Sequence, residues 1–464
     1  MTLDFFLRTL AGRNSWLTYY QGDFTSEEAR AIPHLFLTND AKPSNDSQKI
    51  RIFLQGHIHG NEPAGEEGLL ALLGKMDANA TWAKSVLDVA DIMILPRNNP
   101  DGVAYFQRQL ASGFDPNRDW TILNRQVTRD IKQLYSRFSP HIFVDCHEYT
   151  ASSLLGPDSD LLKSEDGQIL GMTNLNVHED ILELQNGFFI DAMAESLTSR
   201  NLRTGSYYVA PAGEELVLLQ PDSHSQYAGG AASLYQTVSL LTETRGIRLG
   251  DQHFQRRTAT TLFLLEGIIQ AAVDSADHVY NTIEQARADF IENDNDIIVT
   301  DSPRETNVTW QFINATSGAL VTLPAVMLNN TPPDVNISRS RPEAYVFSRA
   351  WSDVAERLRI SGVEVDILEA DFTGNVEALT VETAQLAESK FEGVAQTTVT
   401  TNTTEREVTI PAGGFWVSTR QLNAAFAMVF LEPENIASAV TYNIVPLNEE
   451  DEYPIFRVMK KDCY

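Results

Sequence analysis

At 464 residues, 43% of them apolar and 21% charged, the chain can bury a sizeable core and is long for one ordinary domain, so two are expected. Its net charge of −28 argues against nucleic acid or an anionic membrane surface as partners, because both would repel it at long range. Two cysteines, Cys146 and Cys463, make no disulfide framework, and the longest apolar stretch, Thr261 to Val273 with Glu266 and Gln270 inside it, is too short to span a bilayer.

The chain opens Met1-Thr2-Leu3-Asp4-Phe5-Phe6, without the basic start and apolar run of a signal peptide. The expectation is a cytoplasmic protein, or one whose leader has been removed. Short β-branched apolar runs follow: Leu35 to Leu37, Ile50 to Leu54, Ile92 to Leu95, Ile142 to Val144 and Val238 to Leu241. Apolar on both faces, they read as central strands of a helix-covered sheet. Helical patterns lie between them, such as Gly65 to Met76, with Pro63 where a first turn tolerates it. A long helical segment is predicted from Asp251 to Ile291. The pattern is that of an α/β domain over residues 1–295.

Past the acidic stretch Glu292 to Asp296 the composition turns to Thr, Val, Asn and Pro, with runs such as Thr397 to Thr404. A helix is expected at Ser348 to Ile360, stopped by Gly362 and followed by a strand from Val363 to Leu368. Residues 296–464 are therefore read as a second, β-rich domain.

The chemistry collects where strands end. Gln55-Gly56-His57-Ile58-His59-Gly60-Asn61-Glu62-Pro63 directly follows the strand ending at Leu54, and Asp145-Cys146-His147-Glu148 follows Val144. In an open α/β sheet, sites gather at the carboxyl ends of strands. His59, Glu62 and His147 would supply two imidazoles and a carboxylate, leaving a fourth position for water, the usual layout of a catalytic zinc. Asp145 could orient a ligand imidazole from behind. A lone His-x-x-Glu is common by chance, His57 is a nearby decoy, and Glu66 and Glu67 read as helix-face residues. Asn98-Asn99-Pro100-Asp101-Gly102, Arg108 and Asp115-Pro116-Asn117-Arg118-Asp119 read as loops. Arg108, Asn117 and Arg118 there are either surface ion-pairing groups or a grip for a carboxylate. In Leu241-Thr242-Glu243-Thr244-Arg245, Glu243 at a strand end is either solvated or a catalytic base.

Taken together, these residues resemble the zinc carboxypeptidase family. The shared features are a glycine-led His-x-x-Glu element after a strand, an Asn-x-Asp-Gly loop, an arginine, an Asn-Arg pair, a second histidine after a strand, and a late Glu-x-Arg. The resemblance covers roughly residues 30 to 270 and implies a mixed, mainly parallel sheet covered by helices. It also implies zinc on His59, Glu62 and His147, Glu243 as general base, and Arg108 polarising the scissile carbonyl. Asn117 and Arg118 would bind the terminal carboxylate of a peptide. The remainder looks like the C-terminal extension of some bacterial members, and the compartment implied is periplasmic or secreted. The family usually has a tyrosine closing over the substrate; Tyr227 and Tyr235 are the candidates. The rival readings are a zinc amidase or deacylase on the same scaffold, acting on a cell-wall peptide or N-acyl amino acid, and a non-catalytic peptidase-like binding protein.

Overall fold

The computed structural model describes residues 2–22, 24–40, 48–211, 215–222 and 224–460; Cys463 lies outside the described residues. The first half builds a mixed sheet from β1 (Leu17–Tyr20), β2 (His34–Leu37), β3 (Ile50–Gly56), β4 (Ala90–Leu95) and β5 (Ile142–Thr150). After β6 (Leu161–Lys163), which belongs elsewhere, β7 (Gly167–Gly171) and β8 (Thr204–Ser206) join it. Past β9 (Val217–Leu219), also outside, β10 (Val238–Ile247) completes it. The order across the sheet is β1-β2-β4-β3-β5-β10-β7-β8. Strands β4, β3, β5 and β10 are mutually parallel; β2 pairs antiparallel with β4 and β7 antiparallel with β10, while β1 pairs antiparallel with β2 and β8 parallel with β7.

The predicted apolar runs are there, but the strands carrying chemistry run on past them. β5 continues through Asp145, His147 and Glu148 to Thr150, and β10 continues from Leu241 to Ile247. A run of apolar letters stops at the first charged residue; the ladder does not, because its hydrogen bonds are made by backbone. Chain order turns around β3, with β4 on one side and β5 on the other, so a crevice opens at the carboxyl ends of β3 and β5. Helix Ala64–Ala78 starts at Pro63, as expected. Two glycines let its loop seat closely: a Cβ on Gly60 would fall 2.0 Å from the Gly102 carbonyl carbon, and one on Gly65 would fall 2.6 Å from the Cys146 oxygen.

The long helix predicted from 251 to 291 is two, Phe254–Asp274 and Ala276–Glu292, broken at Ser275 with φ −131° and ψ 35°. No Gly or Pro marks that break. Later, helix Ser352–Ile360 ends before Gly362, whose φ is +71°. The strand expected from Val363 to Leu368 is reduced to Asp366–Ile367.

Residues after 295 are rich in antiparallel pairing. β11 (Ile297–Asn314) and β12 (Leu320–Arg339) form a long hairpin with β6 on one edge and β9 on the other, a four-stranded sheet shared between the two halves of the chain. β13 (Ala344–Phe347), β14 (Asp366–Ile367), β15 (Phe372–Phe391), β16 (Val394–Ile410), β17 (Phe415–Ser418) and β18 (Ile455–Val458) make a six-stranded antiparallel sheet. Its core includes Tyr345, Phe347, Phe426, Phe430 and Tyr453. Among the described residues, no helix is long and apolar enough to cross a membrane.

Candidate active site

His59 and Glu62 sit on the turn between β3 and helix Ala64–Ala78, and His147 lies inside β5. All three are 2% exposed. The Nδ1 atoms of His59 and His147 are 3.2 Å apart. Glu62 Oε1 lies 2.8 Å from the first and Glu62 Oε2 3.0 Å from the second. Burial alone would push the Glu62 carboxyl up; the imidazoles of His59 and His147 outweigh it and hold the group well below the usual carboxylate range. Two imidazole nitrogens aimed at each other beside a carboxylate repel unless a cation, proton or metal, lies among them. Tetrahedral zinc with ligands at about 2.0–2.1 Å spaces its donor atoms about 3.3 Å apart. The observed 2.8–3.2 Å is a little shorter than that spacing, so a small outward shift of the three donors would seat the ion.

The far nitrogens of both rings meet carboxylates, which fixes which nitrogen faces the centre. His59 Nε2 lies 3.2 Å from Asp115 Oδ1, and His147 Nε2 lies 2.9 Å from Asp145 Oδ2. Asp145 therefore stands behind His147, as its position suggested. Asp115 was quoted in the sequence only as part of a loop. Here it also accepts from Arg108 Nε at 2.9 Å and from the backbone N–H of Asn117 at 2.8 Å.

His59, Arg108, Asn117, Arg118, His147 and Glu243 all line one cavity of about 530 Å³. Arg108 also points Nη1 at His59 Nδ1, 3.1 Å away, and at Glu62 Oε1, 3.4 Å away. Asn117 and Arg118 sit on the 3₁₀ turn Pro116–Arg118. The Asn117 side chain accepts from the Ala228 N–H at 2.7 Å, and Arg118 stacks over Tyr227 with 4.5 Å to the ring centroid. Glu243 pairs with His147 across the β5–β10 ladder, which brings its carboxyl to the same crevice. It is 6% exposed, and its Oε2 has no hydrogen-bond partner among the described residues. Burial first, then the neighbouring Glu62, pushes its pKa up to about 8 against the opposing pull of His147, Lys163 and Arg108.

The decoys are accounted for. His57 Nδ1 lies 2.7 Å from Glu66 Oε2, and Arg97 grips the same carboxylate. Glu66 is thus a buried structural anchor and not the helix-face residue its pattern suggested. Glu148 is held by Arg257 at 2.8 and 3.0 Å. Of the tyrosines, Tyr227 lines the cavity, but Tyr235 is buried in the core with its hydroxyl donating to the Ser361 carbonyl at 2.6 Å. A further tyrosine lining the cavity with Glu243 is Tyr207, just past β8. Burial and then the Glu243 carboxylate hold its pKa well above the usual phenol range. Nothing near Tyr207 in the sequence singles it out; only packing brings it to the site.

The cavity also takes residues from beyond 295. Asp301, Ser302 and Pro303 of β11 and Leu328 and Asn330 of β12 line it. From the second sheet, Glu392 in the turn between β15 and β16 accepts from the Asp115 N–H at 2.9 Å.

Comparison with known proteins bears on the same residues. Residues 4–148 match the family described as zinc carboxypeptidase, a span that takes in His59, Glu62 and His147 and stops short of Glu243. Carboxypeptidase 2 of Trichophyton tonsurans is 43% identical over 463 residues, 98% of this chain and 86% of that protein. Carboxypeptidase 2 of Trichophyton rubrum is 42% identical over 461 residues, 98% of this chain and 86% of that protein. The likeness to both thus runs through the region after 295. Among solved structures, a metallo-carboxypeptidase from Burkholderia cenocepacia aligns over 58% of this chain and 68% of its own, with 17% identity and a TM-score of 0.45.

Proposed function

The chain belongs to the zinc carboxypeptidase family and is a zinc-dependent metallocarboxypeptidase, and we propose that it does its work through seven residues, six of which line one cavity. His59, Glu62 and His147 hold the metal; Glu243 is the general base; Arg108 steadies developing negative charge; Asn117 and Arg118 take the free C-terminal carboxylate of a peptide. The observation that carries this reading is the meeting of two buried imidazole Nδ1 atoms and a carboxylate beside a buried glutamate whose Oε2 has no hydrogen-bond partner among the described residues.

Zinc bound there would supply Lewis acidity, lowering the pKa of water and polarising a carbonyl oxygen. Every other part of the chemistry falls to the chain. The Glu243 carboxylate accepts the proton of the attacking water and then delivers it to the leaving amine. Its burial makes it a stronger base than a solvated carboxylate, which suits it to that transfer. Arg108, aimed into the site by Asp115, presents a fixed cation where oxyanion charge would build. Arg118 sits over the Tyr227 ring and donates Nη1 to the Asn117 carbonyl, and its remaining N–H groups would serve a carboxylate. Asp301 and Leu328 support treating residues 296–464 as a β-rich unit that also walls the catalytic cavity.

The test separates a carboxypeptidase from an amidase or endopeptidase. A charge-assisted bond at a partly buried site is worth about 1.5–3 kcal/mol. Amidating the substrate's C-terminus should therefore lower kcat/KM at least tenfold. Arg118→Ala should lose about as much on the free acid and little on the amide, so the two losses do not add. Equal cleavage of both peptides by the wild type would end the assignment of Asn117 and Arg118.

A further inference from the structure

Glu243 has a neighbour that the mechanism above does not use. Across the antiparallel β7–β10 ladder it faces Gln168, and directly opposed residues put their side chains on one face, about 4.5–5.5 Å apart at Cβ. Gln168 is fully buried. Its Oε1 accepts from Lys163 Nζ at 2.9 Å, and Lys163 also donates to the Tyr208 carbonyl. The other half of the amide, Nε2, is buried without a hydrogen-bond partner among the described residues, as is Glu243 Oε2 on the facing strand.

Lys163 is itself unusual. It is 8% exposed, and its hydrogen bonds among the described residues go to the neutral oxygens of Gln168 and the Tyr208 backbone, with no carboxylate among them. Instead it is caged by three tyrosine rings, with 4.3 Å to the centroid of Tyr208, 4.8 Å to Tyr149 and 4.9 Å to Tyr207. Cation–ring contacts recover part of what burying an ammonium costs, but a buried lysine with no ion pair is rare in a protein interior. The strand that carries it, β6, is held from outside by β11, with Lys163 opposite Phe312.

The chemistry of these groups gives the chain a direction. An ammonium can only donate, so the amide oxygen must face Lys163 and the amide N–H₂ must face away from it. A carboxylate can only accept, so Glu243 is the group on that face suited to meet the N–H₂. The same cage holds the Tyr207–Tyr208 segment, and Tyr207 lines the cavity together with Glu243.

We propose that Lys163 and Gln168 are positioning residues for the reaction: the caged ammonium locks the Gln168 amide and the Tyr207 ring in the one arrangement that aligns Glu243. The proposal rests on Glu243 being the general base. It predicts that these two residues affect the rate of turnover and leave substrate capture to Arg118 and Asn117, which lie on another element.

The experiment uses the full-length zinc-loaded protein and a peptide with a free C-terminus, measuring kcat, KM, zinc content and Tm for Lys163→Met, Lys163→Arg, Gln168→Leu and the Lys163→Met/Gln168→Leu pair. Lys163→Met and Gln168→Leu are each expected to lower kcat tenfold or more with KM within about twofold and zinc unchanged. The pair should lose little more than either alone, and Lys163→Arg should recover most of the rate. If Lys163→Met does not fold, Gln168→Leu alone decides. A kcat within twofold of wild type in the soluble, zinc-loaded variants overturns the proposal, as does a loss of rate that follows zinc content. Glu243→Gln, run alongside, tells the two ideas apart. If it abolishes turnover while Lys163→Met and Gln168→Leu do not, only the positioning role falls; if it retains turnover, the base assignment falls first.

Discussion

Strands β3, β5 and β10 are buried along almost their whole length, whereas β11, β12, β15 and β16 alternate buried and exposed residues and run out into solvent. A charged group on or beside the first set has little water to turn to, and most are held by a neighbouring charge. His57 has Glu66, Glu148 has Arg257, and His59, Glu62 and His147 have one another. The threonines and glutamates of the second set are mostly solvated and need no partner. Chemistry is therefore concentrated in the first region, and the second bears on it where it lines the cavity, at Asp301 to Pro303 and at Leu328 and Asn330, and where Glu392 meets the Asp115 N–H.

That contrast can be broken most severely at His147. His147→Ala leaves two of three metal ligands and should reduce zinc from one per chain to a trace, with activity lost alongside. Metal analysis of the purified variant checks this, and full occupancy would remove His147 from the site. The next largest effect separates two buried glutamates of neighbouring strands. Glu243→Gln should keep fold and zinc and lose about 10²–10⁴ in kcat, because the amide cannot take a proton. Glu148→Gln should instead lower Tm, since it strips a buried arginine of its ion pair. Turnover within threefold of wild type in Glu243→Gln would move the base elsewhere.

Acid should reach the two regions at different pH. His141, at the start of β5's segment, accepts from the Arg51 N–H and contacts Glu284 Oε1 at 2.7 Å. Burial and then Arg287 lower its pKa to about 3. The unfolded chain, with histidine near 6.5, binds more protons through that window. Stability from His141 is thus complete above pH 6.5 and falls as pH drops toward 3, by roughly 3–5 kcal/mol. In the second region Glu434 is depressed despite its burial, chiefly by Arg339, so its contribution is complete above the ordinary carboxylate range and is lost as pH falls through and below that range. Hydrogen exchange followed from pH 7 to 4 should show amides around β5 losing protection before those of β15 and β16. Simultaneous loss would mean that the two regions unfold as one unit.

The smallest expected effect is at the contact between regions. Glu392→Ala removes the acceptor of the Asp115 N–H and should lower kcat/KM about two- to tenfold through the loop that aims Arg108 and His59, with zinc retained. Steady-state kinetics check it, and an unchanged kcat/KM would make the β15–β16 turn a bystander.

Much of this was legible in the letters. Apolar runs located the central strands, because a parallel sheet covered on both faces demands side chains that are apolar on both. His59, Glu62, His147 and Glu243 stood out because charged residues directly after such runs sit at strand ends, where an open sheet leaves a crevice. The break at Ser275 was not legible, since no glycine or proline marks it. Nor was the reach of β5 and β10 past their apolar letters.

Sequence by itself determined the residues that can ligate, accept a proton or grip a carboxylate, because those abilities belong to the side chain and travel with it. Only the tertiary structure decided which of them meet. Gln168 faces Glu243 across the β7–β10 ladder, Tyr207 shares its cavity and Lys163 sits on the Tyr207 ring, all from strands and loops 36 or more residues away along the chain, and Asp115 joins His59 to Arg108 across a turn. Such meetings are made by strand register and by the burial that squeezes polar groups together. Register is set by the pairing of whole strands, so no local stretch of sequence contains it.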